Sequence, residues 1–278
     1  MQKNMRNAKF LFDVPYRSIN GREICLDAVI ADAEKPSPVV ITIHGGGWKL
    51  GSKNNAHPLL VKFMNEGISW VTIDYRLTTE AIYPAQVDDC TYALQFVKSK
   101  AKEWNIDPDR IALEGHSAGG HLSLWVGLHP DQADPESKDP IRRISTKVRA
   151  IVDRAGPADF FLMEKIRHEA HELVYLFLGH KYDGKEKEGS PWGILTKEQM
   201  EVVSPVTYVS KDSPPVFIIH GTADTTVPVQ HSRSLEGSLK KNNVEHKVHY
   251  IENGDHGAWY DGMNDEMLAF LKRWLKAG

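Results

Sequence analysis

Short apolar runs alternate with longer segments of helical periodicity along most of the 278 residues. Runs of β-branched and other apolar residues predict strands buried in a sheet. The predicted strands are residues 24–30, 39–43, 70–73, 110–113, 148–152, 216–219 and 247–251. Apolar residues that recur every three or four positions predict helices between these strands. The predicted helices are residues 57–66, 84–104, 118–128, 229–241 and 263–276, and a turn is predicted at 107–109.

Strands that alternate with helices predict an α/β fold, with a mostly parallel sheet and helices on both faces. Segment 157–210 interrupts the alternation with aromatic residues, a helical pattern around 162–178 and a charged stretch at 181–189. This segment is too long for an ordinary connection. We therefore expect a single domain over residues 1–278 with a small cap inserted at about 157–210. The alternative is a solvated excursion with one packed helix.

Composition narrows the classes of function. The formal charge of −3 and a pI near 6.5 give no basic footprint for nucleic acid or anionic lipid. Cys25 and Cys90 are too few for a disulfide framework or a thiolate metal cluster, which leaves one bridge or two free buried thiols. No run approaches the roughly 18 apolar residues of a membrane span. No apolar region follows the charged residues 1–9, so we expect a cytoplasmic protein; a secreted protein without its leader would look the same.

A serine lies in a motif that can activate it. Gly115-His116-Ser117-Ala118-Gly119 fits the pattern G-x-S-x-G between a predicted strand and a predicted helix. A strand that turns directly into a helix strains the backbone at its apex and projects the apical side chain beside the helix N-terminus. Ser117 is therefore the candidate nucleophile, and an ordinary glycine-rich turn is the alternative.

A serine nucleophile needs a base and an acid that orients the base. His256 follows the last predicted strand, and Asp224 lies just past strand 216–219. The order Ser117, Asp224, His256 is that of the α/β-hydrolase fold. Two other acids compete with Asp224. Asp255 adjoins His256, where neighbouring side chains seldom point together, and Asp153 follows predicted strand 148–152.

A glycine-rich loop supplies candidate oxyanion donors. His44-Gly45-Gly46-Gly47-Trp48 follows predicted strand 39–43 and matches the H-G-G-G loop, whose backbone N–H groups act with that of the residue after the nucleophile. We assign the donors to Gly46, Gly47 and Ala118, and expect His44 to brace the loop. The candidate substrate contacts are Trp48, His116 and Trp259. Packing in the core, the turn or a helix is the alternative for each, as it is for His121.

These motifs together resemble esterases of the α/β-hydrolase superfamily, and in particular the compact acetyl-xylan/feruloyl esterase-like branch near the hormone-sensitive-lipase-like group. The residues that carry the resemblance are 44–48, Asp74-Tyr75-Arg76-Leu77, Pro84 with Asp88, 107–111, 115–120, 220–224, Val227-Pro228 and 254–257. The hormone-sensitive-lipase-like group usually has Asp where His116 stands, which favours the compact branch.

The resemblance implies a serine carboxylesterase that acts on short-chain acyl esters, in particular acetyl esters of sugars or xylan. It implies a small-molecule or carbohydrate ester as partner and no metal or organic cofactor, whereas nucleic-acid and membrane partners are not expected. The oligomeric state is not assigned. Two other functions stay open: an amide-cleaving formamidase or peptidase with the same triad, and a non-catalytic scaffold, which a broken triad or oxyanion hole would indicate.

Overall fold

The computed structural model describes residues 8–54, 59–164, 170–180, 195–258 and 261–276. Its strands are β1 (Ala8–Ile19), β2 (Arg22–Ala31), β3 (Ser37–Ile43), β4 (Ser69–Ile73), β5 (Ile106–His116), β6 (Ala150–Arg154), β7 (Val216–Gly221) and β8 (His246–Ile251). These strands form one sheet in the order β1-β2-β4-β3-β5-β6-β7-β8. β1 and β2 pair antiparallel, as do β2 and β4, and every later pairing is parallel. The predicted fold class is confirmed.

The helices cover both faces of this sheet. They are α1 (Leu60–Asn65), α2 (Ala85–Ser99), α3 (Ala101–Trp104), α4 (Ala118–Leu128), α5 (His171–Phe177), α6 (Lys197–Val203), α7 (Gln230–Lys241) and α8 (Asp261–Lys276). α1 and α8 pack on one face, where Phe63 and Leu271 share a buried cluster with Val40. α2 and α4 pack on the other face, where Leu94 and Leu122 lie against strands β3 and β5. No helix within the described residues is long and apolar enough to span a bilayer.

The N-terminal half departs from the predicted elements in two places. Strand β1 was not predicted, because its register is interrupted between Leu11 and Val14 and again between Pro15 and Arg17. These irregularities break the alternation that marks a strand in sequence. The long helix predicted over 84–104 is two helices separated at Lys100, since the same apolar periodicity runs through both.

The predicted bounds of β5 and β6 were also wrong. β5 begins at Ile106, so the turn predicted at 107–109 is an excursion within the strand, stabilised by a 2.9 Å hydrogen bond from the Asp109 N–H to Asp107 Oδ1. β6 lies two residues later than predicted. Asp153 therefore lies inside that strand rather than after it.

Segment 157–210 contains described helical elements and gaps in the description. Residues Phe160–Glu164 and Pro205–Tyr208 form short 3₁₀ helices, and α5 and α6 lie between them. The charged stretch 181–189 lies outside the described residues, and the cap remains a prediction. Cys25 and Cys90 are both free thiols; Cys90 is buried, whereas Cys25 is partly exposed.

Candidate active site

Four loops at one edge of the sheet carry the residues singled out from the sequence. β3, β5, β7 and β8 lie in the parallel part of the sheet, so their carboxyl ends share one edge. Residues 44–48 follow β3, Ser117 follows β5, Asp224 follows β7 and His256 follows β8. Open α/β sheets bind their ligands at this edge.

Ser117 stands between β5 and α4 with φ 57° and ψ −122°. This φ lies in the left-handed region, where a residue with a side chain is strained. The neighbouring glycines are required by space. A Cβ on Gly115 would overlap the backbone of Gly119, and a Cβ on Gly119 would overlap the carbonyl oxygen of Ile43. The geometry is that of the sharp strand-to-helix elbow that G-x-S-x-G predicts.

His256 and Asp224 are in direct contact. The Nδ1–H of His256 donates to Asp224 Oδ2 at 2.7 Å, which leaves Nε2 as the basic nitrogen. Asp224 Oδ1 accepts the backbone N–H groups of Thr226 and Val227, at 2.9 and 2.8 Å. Burial raises the pKa of Asp224, but the hydrogen bonds from His220 and His256 lower it by more, to well below its ordinary value. The carboxylate is therefore ionised at neutral pH.

Ser117 lines the same cavity as His256. Within the residues that the structure describes, no hydrogen bond joins the Ser117 hydroxyl to His256. Such contacts are often long in unliganded active sites and tighten around the substrate. The structure thus places a strained serine and a histidine that contacts Asp224 on one cavity.

The two competing acids make other contacts. Asp153 is fully buried in β6, where its Oδ1 accepts the Gly156 N–H at 3.0 Å. Burial raises the pKa of Asp153 to about 8, so this side chain is mostly protonated at neutral pH. Asp255 Oδ1 accepts the Gly257 N–H at 2.9 Å. Of the three candidate acids, Asp224 is the one that contacts the His256 imidazole.

The loop after β3 turns sharply beside Ser117. Gly46 and Gly47 have φ values of +109° and +60°. A Cβ on Gly46 would overlap the carbonyl oxygen of Leu50, and a Cβ on Gly47 would overlap the Leu173 side chain. Ala118 is the first residue of α4, so its N–H has no acceptor within the helix. The cavity lining contains all three predicted oxyanion donors.

His44 braces the loop at residues 44–48 through its ring. Its Nδ1–H donates to the Gly45 carbonyl at 2.7 Å, and its ring stacks on Tyr75 with centroids 4.2 Å apart. The Tyr75 hydroxyl donates to the His44 carbonyl at 3.0 Å. A Cβ on Gly45 would stand 2.7 Å from the His116 carbonyl oxygen, so glycine lets the loop approach the elbow. These contacts fit the bracing that we expected of His44.

Trp48 belongs both to the core and to the cavity wall. Its indole is 2 % exposed and stacks on Phe177 with centroids 4.5 Å apart. Its N–H donates to His121 Nδ1 at 3.1 Å, and His121 Nε2–H donates to the Val203 carbonyl at 2.8 Å. Burial lowers the pKa of His121 to about 4, so this imidazole is neutral and structural. The alternatives of core residue and pocket wall therefore both apply to Trp48.

His116 connects the elbow to the loop that carries His256. Its Nε2–H donates to the His256 carbonyl at 2.8 Å, and the two ring centroids are 4.8 Å apart. Burial, with the nearby Arg154 charge, lowers the pKa of His116 to about 4. His116 also lines the cavity, so both of its predicted roles remain open. Trp259 lies outside the described residues.

The cavity beside Ser117 has a volume of about 310 Å³ and mostly apolar walls. Its apolar lining includes Leu50, Pro157, Phe160, Leu173, Val174 and Val227. Sequence reasoning missed His231, which lines the cavity from the first turn of α7. It also missed the contact of His220 with Asp224, 3.1 Å between Nε2 and Oδ2. Within the described ranges, no group of three or more His, Cys, Asp or Glu side chains could hold a metal ion.

Comparisons with known proteins identify a family and relatives of this chain. The family model BD-FAE matches residues 26–239. A probable carboxylic ester hydrolase of Mycobacterium tuberculosis, LipM, is 33 % identical over 76 % of this chain and 46 % of its own length. The chain spans about half the length of the first curated relatives that it matches.

Two solved structures cover nearly the whole chain. A truncated carbohydrate esterase from gut microbiota superposes with a TM-score of 0.81 at 24 % identity, over 99 % of both chains, and supports the fold alone. An acetyl ester-xyloside bifunctional hydrolase from Caldicellulosiruptor lactoaceticus has a TM-score of 0.75 at 27 % identity, over 98 % of this chain and 94 % of its own.

Proposed function

Because the chain belongs to the BD-FAE family, we propose that it is a serine carboxylic-ester hydrolase for short-chain acyl esters. The observation that carries the proposal is the 2.7 Å hydrogen bond between His256 Nδ1 and Asp224 Oδ2 beside a cavity that also contains Ser117. An ionised acid, an imidazole of defined tautomer and a strained serine are the parts of a two-step acyl transfer.

In the acylation step, Ser117 Oγ attacks the ester carbonyl carbon while His256 Nε2 takes the hydroxyl proton. Asp224 stabilises the resulting imidazolium and fixes its orientation. When the tetrahedral intermediate collapses, the bond to the alcohol oxygen breaks and His256 returns the proton to the leaving alcohol. Water then attacks the acyl-enzyme by the same relay, which releases the carboxylic acid and regenerates the Ser117 hydroxyl.

The oxyanion of each intermediate would lie among backbone N–H groups of Gly46, Gly47 and Ala118. Glycine at the first two positions leaves the N–H groups unshielded by a side chain. The donors are held by the turn and by the helix start, so they need no reorganisation during the reaction. Each such donor contributes about 3 kcal/mol to transition-state stabilisation.

The cavity supports a preference for small acyl groups. Its volume of about 310 Å³ lies at the lower end of the range for ligand pockets. Phe160, Leu173 and Val174 are apolar walls that suit a methyl or short alkyl group. We assign the acyl group of the substrate to this cavity, with acetyl esters as the preferred substrates.

The alcohol part of the substrate is proposed from the relatives. An acetyl ester-xyloside bifunctional hydrolase is among the similar structures, at 27 % identity. We therefore propose acetylated sugars, including acetylated xylan fragments, as substrates. No metal or organic cofactor has a step in this reaction.

The test of the activity is a comparison of the wild-type protein with Ser117→Ala. We expect a fluorophosphonate probe to label the wild type on Ser117, and p-nitrophenyl acetate hydrolysis to fall by at least 10³-fold in the variant. Circular dichroism should show an unchanged fold. Hydrolysis by the variant at the wild-type rate would overturn the proposal.

A substrate panel tests the proposed specificity. It contains acetylated xylo-oligosaccharides, feruloyl esters, p-nitrophenyl esters of two to eight acyl carbons and N-formyl amides. We expect the highest kcat/KM for acetyl esters. A preference for N-formyl amides would instead identify an amidase with the same nucleophile.

A further inference from the structure

Asp224 holds a second histidine besides His256. His220, at the end of β7, places its Nε2 3.1 Å from Asp224 Oδ2, the oxygen that His256 Nδ1 contacts at 2.7 Å. Asp224 Oδ2 thus lies within 3.1 Å of a ring nitrogen of each of two imidazoles, and Oδ1 accepts two backbone N–H groups. His220 is 1 % exposed and does not line the cavity that contains Ser117.

The hydrogen bonds of His220 define where its proton lies. Nε2 faces two acceptors, Asp224 Oδ2 and the Val227 carbonyl oxygen, the latter at 2.7 Å. Nε2 must therefore carry a proton. Nδ1 lies 2.7 Å from Ser232 Oγ, so in the neutral ring it accepts the Ser232 hydroxyl proton. Ser232 is fully buried in α7, which anchors the imidazole from the side opposite Asp224.

We propose that His220 is a positioning residue of the triad: anchored by Ser232, its Nε2–H keeps the Asp224 carboxylate ionised and directed at His256. This inference rests on the proposed function, because it concerns the acid of the same triad. His220 touches neither the reacting atoms nor the acyl cavity. It acts through Asp224, and its removal should change the protonation and orientation of the acid rather than substrate binding.

The contact with His220 affects the protonation of the buried Asp224 side chain. Burial favours a protonated Asp224, and the hydrogen bond from His220 is among the contacts that lower its pKa. Without His220, the Asp224–His256 pair should hold a proton more tightly, and the acid limb of the rate profile should move to higher pH. The other titratable groups nearby are Asp255 on the loop after β8, Arg154 on β6, His116 on β5 and His231 on α7. All of these are unchanged in the variants, so the shift reports on the removed contact.

The experiment compares His220→Leu and His220→Gln with wild type on p-nitrophenyl acetate. For His220→Leu we expect kcat to fall about 10- to 100-fold, the range for losing a hydrogen bond to a charged group, with KM within about twofold. The acid limb of kcat should move to higher pH. His220→Gln keeps an N–H donor and should recover part of both changes. Ser232→Ala should also lower kcat and move its acid limb to higher pH, but by a smaller amount than His220→Leu.

A double-mutant cycle separates positioning from a structural role. If His220 acts through Asp224, His220→Leu should cost less than about threefold in an Asp224→Asn background. His249→Gln is the matched control, because His249 lies on the neighbouring strand β8, contacts Glu266 and lines neither cavity beside His256. Its kcat and pH profile should equal those of wild type.

The outcomes are distinguishable. An unchanged kcat and pH profile in His220→Leu, or equal losses with and without Asp224, would overturn the inference while leaving the esterase assignment intact. Failure of Ser117 labelling in the wild type would instead contradict the proposed function. If His220→Leu does not fold, as judged by its thermal melt, the kcat and pH profiles of His220→Gln and Ser232→Ala decide the question.

Discussion

Two regions around the cavity are built on different principles. At the catalytic edge, the loops at 44–48 and 115–120, backbone lies against backbone, and a Cβ on Gly46 or Gly119 would overlap a carbonyl oxygen. At the pocket wall, formed by Phe160, Leu173 and Val174, side chains provide the surface. Backbone contact excludes nearly every residue except glycine, whereas an apolar wall accepts many side chains. We therefore expect the catalytic edge to tolerate few substitutions, whereas substitutions in the pocket wall should change the preference for acyl chain length.

The largest effect should come from the acid of the catalytic edge. Asp224→Asn keeps the shape of the side chain but removes the charge that orients and stabilises His256, so kcat for p-nitrophenyl acetate should fall about 10⁴-fold. Asp153→Asn is the matched control, since Asp153 makes no hydrogen bond to His256 among the described residues. Its kcat should stay within about threefold. Equal losses in both variants would contradict the choice of Asp224.

Gly46→Ala should have the next largest effect. Its Cβ would overlap the Leu50 carbonyl oxygen at a φ of +109°, so the loop must shift and misplace the oxyanion donors. We expect kcat to fall about 10²- to 10³-fold with little change in KM. Gly237→Ala in helix α7 is the control, because nothing lies within 4 Å of its Cβ position. That variant should keep full activity and gain about 1 kcal/mol of stability.

Substitution of Leu173 tests whether the pocket wall is adjustable. Leu173→Ala removes the side chain that lies against Gly47 and should raise the hexanoate-to-acetate ratio of kcat/KM by about tenfold. Leu173→Phe should lower that ratio. Activity on acetate should change little, since the catalytic edge is untouched. An unchanged ratio in both variants would show that Leu173 does not contact the acyl group. Val61→Ala, at an exposed site, is the control and should leave the ratio unchanged.

Substitution of Asp153 should have the smallest effect on activity. The protonation of this buried side chain should instead make the stability of the protein depend on pH. Burial raises its folded-state pKa to about 8 from an ordinary 3.8, so the folded protein binds this proton more tightly than the unfolded chain. Its contribution to stability is therefore complete below about pH 4 and is lost as the pH rises towards 8. Urea unfolding between pH 4 and 8 should show wild type losing stability relative to Asp153→Asn. Parallel curves would show that burial does not raise the folded-state pKa of Asp153 above its unfolded value.

The same contrast explains which sequence predictions succeeded. Helix 118–128 was predicted at the bounds observed for α4, because a mostly apolar segment follows Ser117 directly. Strand β1 was missed and β6 misplaced, since register irregularities and strand ends depend on the neighbouring strand. Asp224 and Asp153 were both candidates in the sequence. The sequence favoured Asp224 because it follows the end of a strand, and in the structure Asp224 is the acid that contacts His256, at 2.7 Å.

By itself, the sequence determined the α/β fold and predicted which glycine, serine, aspartate and histidine residues form the candidate site. Those features depend on local backbone geometry, which residue type restricts strongly. The tertiary structure alone decided which side chains share the cavity, that Asp153 is buried, and that His220 contacts Asp224. These properties depend on distances between strands and helices far apart in the chain, and on the burial that follows when they pack together.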